Sequence, residues 1–300
     1  MTKKPFLTIN QQLDLLKNRG LIIDGDSKHI LETEGYYSVV NGYKAPFLDM
    51  DESKRHNEDR YKQGTSFNDV YLLFLMDRSL RELTFHYTTK VEAMLKTTCS
   101  YCFAEAHQEP NAYLKDENFS TEEQYLEFGL KTYIDDKQKL QSLLYDKKNN
   151  SSREPIIHYR NKYNEVPIWI LATDLTFGNI EHLYNLMQPN DRKAVCKMVS
   201  SITSGDKKHQ YIDPINMRKW INTIVKVRNM CAHDERLYCA HIGNRKNINF
   251  AGFLLHISHL LTEKDYEDMI DAIVDLVESF SGRSNIISHI LDNMGLIPAE

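Results

Sequence analysis

A mostly α-helical fold is predicted by three observations. Apolar residues recur at three- and four-residue spacing along most of the chain, no convincing series of alternating strands is present, and recognisable helix starts precede the periodic stretches. The expected architecture is a helical bundle, residues 61–300, preceded by a small N-terminal helical element, residues 1–60.

Residues 9–19 and about 27–44 read as the first two helices, the second interrupted or ended near Gly42 and Pro46. The polar run DMDESKRHNEDRYKQGTS, 49–66, reads as a loop. Ser66 with Asp69 is a capping-box variant, and Leu80, Leu83, Tyr87, Val91, Met94 and Cys102 continue one seam to about Ala106. That spacing predicts a helix of roughly 40 residues, about 60 Å if straight. Ser120 with Glu123 opens another helix toward Tyr145, and KKNNSSREP, 147–155, reads as a mobile loop. Asp213-Pro214 places a capping acid before a proline at the first helical position. From there Trp220, Ile224, Val227, Cys231 and Tyr238 fall on one face, with Lys226, Asn229, His233 and Arg236 almost opposite. Helices over 262–279 and 283–294 close the chain.

The composition, 41% hydrophobic and 26% charged over 300 residues, is that of a globular protein rather than a disordered one. No stretch approaches the ~18 apolar residues of a membrane span, and the N-terminus lacks an apolar leader core, so a soluble cytoplasmic protein is expected. The five cysteines form no disulfide framework; Cys99 and Cys102 make a C-x-x-C that reads as buried thiols, with metal or redox use as the alternative. No metal or other cofactor is expected.

The net charge of −5 argues against a polyanionic partner, but its distribution reverses that. Residues 192–246 carry 12 Lys+Arg against 4 Asp+Glu, whereas 263–300 hold 9 acids and 2 bases. A basic segment of this kind suits a nucleic-acid binder, with a merely solvated basic face as the plainer reading.

Within it lies VRNMCAHDERLY, 227–238. An arginine five residues before a histidine is expected by chance roughly 0.5 times in such a composition, and it occurs four times, at 81/86, 153/158, 228/233 and 236/241. Spacing alone therefore identifies nothing. Pro155 excludes a regular helix for the second pair, and only Arg228/His233 lies on a well-started amphipathic helix in basic surroundings.

Arg228, Asn229, Ala232, His233, Arg236 and Leu237, as RN-x-x-AH-x-x-RL, resemble the HEPN active-site motif of the AbiD/AbiF abortive-infection family. Three further stretches are similar to that family in the same order: EGYYSVVNGYKAPF (34–47), FNDVYLLFLMDRSLRELTFHYTTKVEAML (67–95) and VPIWILATDLTFGNIEHLYNLM (166–187). The resemblance covers about residues 5–245. It implies a HEPN-like bundle and a metal-independent endoribonuclease toxin of phage defence, working as a homodimer on RNA, with a small noncoding RNA as antitoxin.

The residues suit that chemistry. Arg228 can hold a scissile phosphate bidentately and stabilise developing charge. A histidine exchanges protons near neutrality, which would let residue 233 act on the 2′-OH or the leaving 5′-oxygen and leave a 2′,3′-cyclic phosphate. Asn229 would orient His233 or a phosphate, and Arg236 and Lys226 would add binding charge. Glu92 either positions the arginine or is a surface glutamate. Tyr36, Tyr37, Tyr43 and Lys44 either stack single-stranded bases or, for the tyrosines, pack in the core. On a straight helix Arg228 and His233 would point some 140° apart, which favours a composite site from two copies. A non-catalytic module holding a structured RNA and a protein-binding helical adaptor are the alternatives.

Overall fold

The computed structural model describes residues 5–205, 211–243, 247–281 and 286–297. Helices dominate, and among the described residues β-pairing is confined to isolated bridges such as Ile22 with Ser66 and Leu48 with Tyr61. The expected mostly-α class holds. No described helix is long and apolar enough to cross a membrane. The chain forms two compact units that interleave in sequence. The first comprises 1–83, 233–240 and 270–300, the second 84–232 and 241–269. Residues 5–60 of the expected N-terminal element thus lie within the first unit.

In the first unit, α1 (Ile9–Asn18) starts on a reciprocal Thr8/Gln11 capping box. The helix expected over 27–44 breaks early: α2 (Ser27–Glu34) stops at Gly35, whose φ of +82° is accessible to glycine without strain. A π-helical turn, Tyr37–Asn41, follows it. The polar run 49–66, expected to be a loop, contains α3 (Met50–His56), because Asp49 accepts from the amides of Asp51 and Glu52 and Asn57 closes the C-terminus in a left-handed conformation. Leu16, Leu31, Val39, Val40, Phe67 and Leu80 form its core.

The long helix is found as expected: α4 (Phe67–Ala106) spans 40 residues and contributes to both units. The Ser66 hydroxyl donates to the Asp69 carboxylate at 2.7 Å, and the Asp69 amide donates back to that hydroxyl at 3.2 Å. Ser66→Ala should therefore lower stability by about 1 kcal/mol, read as a reduced thermal midpoint, while Ser66→Thr should be nearly neutral.

The second unit continues with α5 (Glu122–Glu127) and α6 (Tyr133–Asn150), two helices where one was expected. Gly129, at φ +83°, separates them. Thr121 rather than Ser120 caps α5, pairing with Gln124, because the Ser120 hydroxyl is bound to the Met187 carbonyl. The stretch 147–155 is loop only over 151–153: α6 runs to Asn150, and α7 (Glu154–Tyr163) begins four residues later. Buried Ser151 donates to Asp174 at 2.9 Å, and Arg160 binds the carbonyls of Lys148 and Asn149. Pro155 is tolerated in the first turn of α7, where its missing N–H would have no intrahelical partner.

Then come α8 (Ile168–Leu171), α9 (Phe177–Leu186), α10 (Pro189–Ser204) and α11 (Pro214–Ala232). Asp213 caps α11, accepting from the amides of Ile215 and Asn216. Three more helices, α12 (Phe250–Ser258), α13 (Glu263–Ser281) and α14 (Ile287–Met294), complete the order. Of the expected apolar face of α11, Ile224 and Val227 are buried, while Trp220 and Cys231 are half-buried. Cys99 and Cys102 are buried on α4, where burial pushes the thiols up, that of Cys102 to about 11.

Candidate functional site

The helix carrying the motif ends earlier than its periodicity predicts. It stops at Ala232, so His233 and Arg236 do not share a helical face with Lys226 and Asn229, and the 140° separation does not apply. The cause is a set of backbone groups captured by Asp77. In a continuing helix the amides of Leu237 and Tyr238 would bind the carbonyls of residues 233 and 234. Instead they donate to the Asp77 carboxylate, Leu237 at 3.1 Å and Tyr238 at 2.7 Å, and Asp234 adopts a left-handed φ of +56°.

Asp77 is fully buried and also accepts from the Tyr43 hydroxyl and from Arg81, both at 2.7 Å. Burial pushes its carboxyl pKa upward, and these donors oppose that shift. Arg81 reaches Asp234 at 3.5 Å, and Arg236 donates to the Gly42 carbonyl at 2.8 Å. Within the first unit, then, residues 234–238 are fixed by a polar knot built from the Gly-Tyr of 42–43 and the Asp-Arg-x-Leu-Arg of 77–81. His233 is exposed at the start of this fixed segment. The sequence reading missed the knot, although an i,i+4 acid–base pair amid apolar residues was its visible signal.

Tyr43 therefore cannot stack bases: its ring is buried against Phe74 and Tyr238, as the core-packing reading held. Lys44 is engaged by Asp59 at 2.5 Å and Asn41 at 3.0 Å. Tyr36 is half-buried, whereas Tyr37 is 80% exposed.

In the second unit, Arg228 lies on α11 with its side chain 26% exposed. Its Nε donates to Glu92 at 3.0 Å, its Nη1 to the Asn229 side-chain oxygen at 3.3 Å, and its guanidinium carbon lies 5.5 Å from the Phe85 ring centroid. Glu92 is buried and receives Lys96 at 2.9 Å on its other oxygen. It is not a surface glutamate. With Nε on Glu92 and Nη1 on Asn229, two of the five N–H donors of Arg228 are engaged by these partners, and a guanidinium can offer further donors to a phosphate. Lys226 donates to Asn222 at 2.9 Å.

The basic segment is less superficial than its charge count suggests. Arg192 is buried with its guanidinium 3.8 Å from the Phe128 ring centroid, while Lys193, Lys197 and Lys219 are exposed. Lys207, Lys208, Arg245 and Lys246, like Arg283 at the expected start of the last helix, lie outside the described residues. Among the described residues no group of three His, Cys, Asp or Glu is placed to hold a metal ion.

The segments that build the knot and the Arg228–Glu92 pair all fall within residues 29–239, which match the family model of Abi-like proteins. The chain belongs to the Abi-like family. Membership ties this Abi-like protein to abortive infection, a phage-defence response. No curated protein and no solved structure is significantly similar to it.

Proposed function

We propose that this Abi-like protein is a metal-independent endoribonuclease of the HEPN type, of the AbiD/AbiF kind, acting as a toxin in phage defence. The observation that carries the reading is the Arg228 guanidinium held at Nε by buried Glu92, followed four residues after Asn229 by an exposed histidine. Arg228 would clamp the scissile phosphate and stabilise the charge that builds on it during in-line attack by the 2′-OH. His233 would take the 2′-OH proton or protonate the departing 5′-oxygen. Asn229, already bonded to Arg228, would orient the phosphate, and exposed Tyr37 offers a stacking face for RNA. Because the helix ends before His233, a composite site in a homodimer is supported by the family resemblance and no longer by helical geometry. The same resemblance supports a small noncoding RNA as the restraining partner.

The test is RNA cleavage in vitro and growth arrest in cells, with sequencing of the RNA ends. Wild type should yield 2′,3′-cyclic phosphate ends, and His233→Ala and Arg228→Ala should each lower cleavage about 10²–10³-fold. Equal activity in all three proteins would exclude the proposal.

A further inference from the structure

In the second unit the carboxylate that holds Arg228 also holds Lys96, a residue that lines a groove. Lys96, bound to Glu92 at 2.9 Å, lines a cavity of about 880 Å³ along the C-terminal half of α4. Ala93, Ser100 and Ala104 line it from α4, and Tyr101 and Trp169 contribute exposed rings. Both aromatics leave about half of their surface to solvent, at 51% and 53%, and what sets them apart from other exposed rings of the chain is that they line one cavity together. The lining is mostly apolar, and the volume falls in the range of roughly 300–1,000 Å³ typical of small-ligand sites.

Charge gives the groove a direction. Lys96, paired with the carboxylate that also holds Arg228, stands toward one end, and Glu105, accepting from the Tyr101 hydroxyl at 3.2 Å, stands nine residues further along. That separation is about 13 Å of helix. A polyanion is attracted to the first end and repelled from the second. What fits such a surface is a ligand with an anionic backbone at the Lys96 end and a flat, uncharged ring extending toward the aromatics. An unpaired nucleobase of single-stranded RNA has this form, since its faces stack on aromatic rings while its phosphate seeks cations.

We propose that the Trp169/Tyr101 groove is a base-stacking subsite for single-stranded RNA, placing a nucleotide next to the phosphate held by Arg228. The inference rests on RNA being the ligand of the Arg228 site. It makes Trp169 and Tyr101 binding residues with no part in proton transfer, and Lys96 the bridge between base and phosphate recognition.

Fluorescence tests it, because the chain has two tryptophans and Trp220→Phe leaves Trp169 as the single emitter. In a His233→Ala background, a single-stranded oligoribonucleotide should quench Trp169 saturably, and a blunt duplex of the same sequence, with its bases paired, should not. By anisotropy of labelled RNA, Trp169→Ala should weaken single-strand binding about ten-fold, Tyr101→Ala should also weaken it, and Trp169→Phe should restore most of the affinity. Salt-sensitive binding that leaves Trp169 emission unchanged and is indifferent to Trp169→Ala would overturn the subsite while leaving the nuclease reading standing. Quenching with intact His233 but no cleavage would support the subsite and overturn the nuclease. Failure of every variant to bind RNA would remove both.

Discussion

Asp77→Ala is expected to destabilise the protein by about 3–5 kcal/mol, the cost of removing one partner from a buried ion pair. The loss goes beyond the Arg81 contact. Asp77 is the acceptor for Leu237 and Tyr238 amides and for the Tyr43 hydroxyl, so alanine leaves backbone donors and a guanidinium buried without their carboxylate. Tyr43→Phe removes one hydroxyl, which donates to Asp77 and accepts from Arg81 at 3.0 Å, and should cost about 1–2 kcal/mol. Urea unfolding followed by circular dichroism measures both, and a change below about 0.5 kcal/mol for Asp77→Ala would contradict the account. Where Asp77→Ala still folds, residues 234–238 lose their anchor, so cleavage should fall further than the folded fraction does.

Glu92→Gln is expected to separate binding from turnover. The amide is isosteric and keeps an acceptor, but it no longer balances the two cations, Arg228 and Lys96, that share the carboxylate. With one negative charge fewer beside them, RNA affinity should hold or rise. The single amide oxygen cannot accept from both Arg228 and Lys96, so the guanidinium should be held less firmly, and misplacement by about 1 Å lowers rates on the order of 10²-fold. Glu92→Asp, which retains the charge on a shorter stem, should recover part of the rate. Single-turnover cleavage beside equilibrium binding distinguishes this from a structural role. Unchanged cleavage by Glu92→Gln, or parallel loss of cleavage and binding, would show that Glu92 does not position Arg228.

Legibility of the fold followed the locality of its causes. Both ends of α4 were readable because Ser66, Asp69 and an unbroken apolar seam lie in the same stretch of chain, and Asp213-Pro214 announced α11 in the same way. The end of α11 was not readable, because what stops it is a carboxylate on another helix and not a glycine or proline after Ala232. At Ser120 the local signal was right in kind but displaced by one residue, since Met187 had claimed the hydroxyl. The capping signals of α3, Asp49 and Asn57, were present but were outweighed by the polarity of the run around them.

The candidate site divided along the same line. Arg228, Asn229 and His233 were found from a local motif. Whether Glu92 was a surface residue or a support, and whether Tyr43 stacked bases or packed inside, depended on contacts 136 and 34 residues distant in sequence. Composition and periodicity contain no information about such pairs. Trp169 has no local signal that would assign it a role, because its exposure is a property of the fold around it.

The Asp77 knot also sets a clock on the ribosome. Asp77 and Leu237 are 160 residues apart, so at about 5–20 residues per second the carboxylate is made roughly 10–30 s before its backbone partners exist. The segment that presents His233 cannot be fixed during that interval, whatever the remainder of α4 has already done. On a nascent chain the segment that follows His233 therefore stays unanchored until residue 238 has been made, so the knot's acid and its backbone donors are separated in time as well as in sequence.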